Sequence, residues 1–134
     1  MTRILADTSA YSAFFRGHAA VKRCFQQAEE IVLTPVVLGE LRAGFLGGKH
    51  ARKNERELAM FLASDRVVVL PVDAETSERY AAILFSLRSA GTPVPTNEVW
   101  IAATAMQHGL TVVTTDRHFG HIPQILCEVL AVSQ

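Results

Sequence analysis

Four carboxylates stand out for the company they keep: Asp7 in ILADTS, Glu40 in VVLGELRAGF, Glu98 in TNEVWIAATAM and Asp116 in VVTTDRHF. Each is embedded in an apolar run. A bare carboxylate is costly to bury, so it must be paired or bind a cation. No basic residue is obviously dedicated to each acid, and the set therefore points to a divalent-metal site. Hard oxygen ligands of this kind suit magnesium, which takes a few carboxylates and keeps several waters. Two such ions about 3.5–4 Å apart stabilise the attacking and leaving oxygens of a phosphodiester. Zinc is disfavoured, because no histidine or cysteine pair has ligand spacing on a helix. His118 and His121 follow Asp116 closely, but loop histidines are more often solvated. His118 is expected to approach the site as a substrate contact, not as a ligand.

Each acid also has a plainer use. Asp7 is placed to cap a following helix. Glu98 suits the positive end of its helix. Glu40 is within reach of Arg42 or Lys49 along its helix, and Asp116 suits a turn. These uses do not exclude cation binding, since capping and metal binding both suit a strand-to-helix junction.

The elements that must position the acids are short. Ile4-Leu5-Ala6 reads as a buried strand ending at Asp7. Ser9–Phe15 and His18–Ala28 read as helices separated by Gly17. Ile31–Leu33 is a second strand. Thr34-Pro35 opens a helix through Glu40 to about Leu46, with Thr at the N-cap and Pro at the first helical position. A charged helix spans about Ala51–Ala63, and Val67–Leu70 is a third strand. Asp73 caps a long helix with the apolar stripe Tyr80, Ile83, Leu84 and Leu87. That face, with Phe85 nearby, is expected to be core, part of it a dimer contact. Gly91 ends the helix, Pro93 and Pro95 extend the connector, and Asn97 is expected to cap a helix that stops at Gly109. Thr111–Val113 is a fourth strand leading to Asp116, and a last strand lies near Cys127–Val132. Strands alternating with helices indicate an α/β domain with a parallel sheet. Such sheets bind ligands outside the carboxyl ends of their strands, where strand order reverses. If the first and fourth strands are neighbours, Asp7 and Asp116 face one crevice.

Length and composition agree with one domain over residues 1–134: 49% of residues are hydrophobic and 19% charged. The formal net charge of zero excludes a generic polyanion binder, so any nucleic-acid contact must come from a local patch. The basic cluster Lys49–Arg56 is either a solvated helix face or a phosphate-binding surface. Cys24 and Cys127 match no zinc or redox spacing and read as reduced core thiols of a cytosolic protein. The N-terminus, with Arg3 and Asp7, makes a poor signal peptide. No apolar run approaches the ~20 residues that span a bilayer. A cytoplasmic location is expected.

The motifs together resemble the PIN-domain family, most closely its VapC-type toxins of bacterial toxin–antitoxin pairs. LADTSAYSAFF resembles the family's strand–Asp–Thr–Ser–helix opening, and TPVVLGELRAG its Thr-Pro…Glu-Leu helix. TNEVWIAATAMQHGLTVVTTDRHFGHI resembles its Asn-acid-x-Trp-Ile-Ala-Ala helix, strand and Thr-x-Asp…Phe turn. The resemblance covers essentially the whole chain in order. It implies a three-layer α/β/α fold with a five-stranded parallel sheet in the order 3-2-1-4-5. It implies Mg²⁺- or Mn²⁺-dependent endoribonuclease activity, a VapB-type antitoxin partner and a homodimer. Asp7, Glu40, Glu98 and Asp116 fall on the family's four acidic positions. Ser9 and Thr114 fall on small polar positions that support them. One departure is that the third acid is usually Asp, whereas Glu98 adds a methylene. The alternative within the family is a catalytically weak RNA-binding or regulatory module, which the presence of all four acids disfavours. A phospho-receiver domain fails because the third strand closes on Leu70-Pro71 and no Lys follows Asp116. An Asp-x-Asp phosphatase fails because Ser9 occupies the place of the second Asp.

Overall fold

The computed structural model describes residues 2–131. The strands are β1 (Arg3–Ala6), β2 (Glu30–Leu33), β3 (Val67–Val69), β4 (Thr111–Thr114) and β5 (Leu126–Val129). The helices are α1 (Thr8–Phe15), α2 (Ala19–Gln27), α3 (Pro35–Leu46), α4 (Ala51–Leu62), α5 (Ala74–Ala90) and α6 (Thr96–His108), and Arg117–His121 forms a 3₁₀ turn. The five strands are parallel, in the order β3-β2-β1-β4-β5, with helices on both faces. Residues covered on two sides must be apolar on two sides, which is why the central strands read as continuous hydrophobic runs. Leu5, Val32, Leu33 and Val112 are completely buried. Each such side chain contributes about 1.5–3 kcal/mol by leaving water.

Leu5 pairs with Val32 on one side and with Val112 on the other. The chain runs outward from β1 through β2 to β3, then returns to add β4 and β5 on the opposite side. The switch point therefore lies between the carboxyl ends of β1 and β4, where Asp7 and Asp116 emerge. The Asp7 N–H still donates to the Val113 carbonyl at 3.4 Å, extending the ladder to the acid itself.

Local signals explain most boundaries. Thr34 caps α3 by accepting from the Val37 N–H, with Pro35 in the first turn. Asp73 and Thr76 form a reciprocal capping box at the start of α5. Gly91 and Gly109 end α5 and α6 in the left-handed region, at φ +70° and +65°, where a Cβ would be strained. Along α5, Ile83 and Leu87 are buried while Phe85 is 74% exposed and lies off the core. Tyr80 of α5 stacks on Trp100 of α6, with ring centroids 3.9 Å apart. A second aromatic group joins Tyr11, Phe14 and Phe15 of α1 to Phe25 of α2 and Phe61 of α4.

Three expectations need correction. Asn97 does not cap α6. Pro95 takes the cap position with no side-chain hydrogen bond, because the extended Pro93–Pro95 connector delivers the chain into the helix two residues earlier. The last strand is Leu126–Val129, ending short of the expected Cys127–Val132; Val132 lies outside the described residues. Its end is set by Leu130, whose N–H donates to the Thr114 carbonyl, and by Ala131, whose carbonyl meets the His18 ring. Cys24 and Cys127 are half-buried free thiols at the rim of the core, not within it. Cys127 lies on β5, an edge strand covered less completely than its neighbours, and Cys24 on α2 sits beside the same strand, its thiol 3.5 Å from the Glu128 carboxylate. Among the described residues no helix is long and apolar enough to cross a membrane.

Candidate metal centre

Asp7 leaves β1 and caps α1, its Oδ1 accepting from the Ala10 N–H at 2.8 Å. The Ser9 hydroxyl donates to the same carboxylate at 2.8–2.9 Å, and the Thr114 hydroxyl donates to Oδ2 at 2.6 Å. Ser9 Oγ and Thr114 Oγ1 in turn accept from the N–H groups of Thr115 and Asp116. The ends of β1 and β4 are thus tied together through one buried carboxylate. Burial pushes Asp7 above the ordinary carboxylate range, against the hydrogen bonds from Thr114, Ala10 and Ser9 that favour its ionised form.

Asp116 does double duty as well. It caps the 3₁₀ turn, accepting from the His118 N–H at 2.9 Å. His118 Nδ1 lies 2.8 Å from Asp116 Oδ1 and 3.4 Å from Glu98 Oε2. Ligand atoms of Glu98, Asp116 and His118 all lie within 4.8 Å of one another. The turn folds His118 back over the acid two residues before it, so this histidine joins the cluster while its side chain stays 48% exposed.

Glu98 occupies the first turn of α6, where the helix dipole favours negative charge. Its side chain is only 17% exposed, and its Oε2 is buried without a hydrogen-bond partner. Burial, then the adjoining Asp116 carboxylate, then Asp7 and Glu40 push Glu98 up to about 8. The Glu98 carboxyl, donating its proton, holds Asp116 below the ordinary range. Burial first, and the neighbouring carboxylates second, thus favour the protonated form of Glu98.

Glu40 stands on the other flank, on α3. The Thr8 hydroxyl donates to its Oε1 at 2.6 Å, and the Asn97 amide donates to Oε2 at 3.2 Å. The expected partner Arg42 instead pairs with Glu55 of α4 at 3.0 Å, because two residues along a helix point to different sides. Thr8 and Asn97 are the supporting residues that the pattern did not single out. Thr8 was visible as the middle of Asp-Thr-Ser, but nothing local says that it reaches across to α3.

The residues fit a hard divalent cation. All four acids supply oxygen, and the buried Oε2 of Glu98 takes part in no hydrogen bond among the described residues. Glu98, Asp116 and His118 form the ligand-distance group, while Asp7 and Glu40 lie outside it and act on Glu98 through space.

Comparison with known proteins bears on both fold and site. The model of the PIN domain matches residues 4–125. The chain is 33% identical to Ribonuclease VapC4 of Mycobacterium tuberculosis over 97% of both chains. The structure superposes on DNA-bound VapBC from Salmonella typhimurium with a TM-score of 0.81 at 26% identity, covering 96% of this chain and 98% of that one. It superposes on promoter-bound VapBC2 from Rickettsia felis with a TM-score of 0.84, covering 96% and 99%, although 21% identity there speaks for the fold alone.

Proposed function

This chain belongs to the PIN-domain family, with VapC-type relatives, and from that premise we propose that it is a Mg²⁺- or Mn²⁺-dependent endoribonuclease, the toxin of a toxin–antitoxin pair. The observation that carries this reading is the meeting of Glu98 and Asp116 at the sheet's switch point, with Asp7 and Glu40 within electrostatic reach. Asp7, Glu98 and Asp116 would hold the cation, with Glu40 as the flanking fourth acid. When bound, a divalent cation supplies a polarised water and charge neutralisation at the attacked phosphate.

The protein's own part is preparation. Ser9 and Thr114 orient Asp7 by direct hydrogen bonds, so that little reorganisation is needed on loading. Thr8 and Asn97 orient Glu40 in the same way. Glu98 would hold a cation as the carboxylate, so cation affinity would rise as pH rises through the region near 8. Attack of water in line would leave a 5′-phosphate and a 3′-hydroxyl.

The wider assignment follows from the same relatives. A VapB-type antitoxin is the proposed partner, since the structural neighbours are VapBC complexes. An arginine of that partner, forking onto the carboxylates, would silence the crevice. We read residues 1–134 as one domain acting in the cytoplasm as a homodimer, with exposed Phe85 of α5 as a candidate contact. The test of function is incubation of purified protein with RNA. Cleavage is expected with Mg²⁺ or Mn²⁺ and not with EDTA; cleavage that survives EDTA removes the metal mechanism.

A further inference from the structure

A cavity of about 660 Å³ opens beside the acids, lined by Ser9, Thr115, Asp116, Arg117, His118 and His121. Its size falls in the ~300–1,000 Å³ range of ligand sites. Asp116 brings the acidic crevice to its edge, and the 3₁₀ turn that Asp116 caps lines it with a guanidinium and two imidazoles. This turn is firmly built: Phe119 at its centre is completely buried, and Asp116 caps its start. His118 is engaged by Asp116 and Glu98. Arg117 and His121 are exposed, and neither has an acid partner among the described residues. In a chain with zero net charge, an unpaired cation beside an acidic centre is the local patch that a polyanion needs. Single-stranded RNA is recognised by such groups, with unstacked bases lying on histidine rings or guanidinium planes and phosphates meeting cations.

We propose that this cavity is a nucleotide subsite for single-stranded RNA, in which Arg117 binds a phosphate next to the one cleaved and His121 stacks its base. This rests on the ribonuclease reading above and adds to it the residues that place the strand. Both side chains are exposed, so their replacement leaves the fold intact.

The test is fluorescence anisotropy with a labelled RNA of about ten nucleotides, within the usual single-strand site size, in Ca²⁺ and over a salt series. Arg117→Gln is expected to weaken binding about tenfold and to lower the slope of log K against log salt by about 0.7, the value for one phosphate on a single strand. Arg117→Lys keeps the slope, which a merely structural role would not predict. His121→Ala weakens binding roughly fivefold or more at unchanged slope, as loss of one stacked base does. Wild-type affinity and slope in stably folded Arg117→Gln and His121→Ala would overturn the subsite, even with Mg²⁺-dependent cleavage intact. Binding that depends on Arg117 without any cleavage by wild type would instead overturn the nuclease reading and leave the subsite standing.

Discussion

At the start of α1, Asp7, Thr8 and Ser9 are committed to hydrogen bonds that hold carboxylates of the crevice in place. At its far end, Phe14 stacks on Phe25 with centroids 4.8 Å apart, and Phe61 of α4 closes over both. The same eight-residue helix therefore joins a region that resists folding to one that drives it. Burial and neighbouring carboxylates raise the free energy of a charged Glu98 in the folded chain and push its pKa up. Aromatic pairs do the opposite, adding about 0.5–1.5 kcal/mol each beyond their burial. The acid-supporting and aromatic contacts are segregated along one helix, so substitutions at its two ends should have opposite signatures.

Phe25→Ala is the largest expected break in that comparison. Phe25 is 1% exposed, and truncation of such a ring costs about 3–5 kcal/mol. Denaturant unfolding should show this loss while cleavage per folded molecule stays near wild type. A matching loss of specific activity would show that the aromatic end also serves the site.

Asp7→Asn should do the reverse. Asn caps helices about as well as Asp, and the neutral amide avoids the burial cost that raises Asp7. The melting temperature should hold or rise while the rate falls at least ~100-fold, since even residues that merely support metal ligands cost ~10–100-fold. Retained activity in a folded variant removes Asp7 from the centre.

A smaller effect concerns pH. Glu98 keeps its proton in the folded state up to about 8, whereas the unfolded chain loses it near 4.5. Between those values the folded state binds more protons, so stability in EDTA is greatest at the acid end and falls as pH rises through this window. Asp116, held low, acts only below the ordinary carboxylate range, while Asp7, raised by burial, adds a slope of the same sign as Glu98. Glu98→Gln should flatten most of the decline and raise stability at pH 8 by about 1 kcal/mol, roughly 3–6 °C in Tm. An unchanged pH profile would show that the acids do not repel one another in the folded state.

The smallest expected effect separates two uses of Asn97. Asn97 donates to Glu40 and caps nothing. Asn97→Ala should therefore cost about 0.5 kcal/mol, the low end for a hydrogen bond, and this cost should vanish when Glu40 is already Ala. A loss that persists in the Glu40→Ala background would restore a role at the helix start.

Much of this was readable along the chain because it depends on near neighbours. Runs such as TVVT can only be buried strands, Thr34-Pro35 and Asp73 carry helix starts in their own side chains, and Gly91 and Gly109 carry the ends. The acids were conspicuous because charge within an apolar run has few explanations. What was misread involved competition between near and distant partners. Asn97 is a good cap by type, yet Pro95 starts the helix and Glu40, on another helix, takes the amide. Glu40 and Arg42 are close in sequence but point apart, so Arg42 meets Glu55 across the α3–α4 pair.

The chain by itself thus determined its alternation of strands and helices and made the four acids conspicuous, because periodicity, capping and the cost of buried charge all act locally. Only the tertiary structure decided which acids meet. Parallel pairing of β1 with β4 sets the ends of the two strands side by side, and the turn after β4 swings His118 onto Asp116. The protonation of Glu98 is likewise a property of that assembly: its charge is opposed by burial and by Asp116, a residue distant in sequence that only the fold makes adjacent.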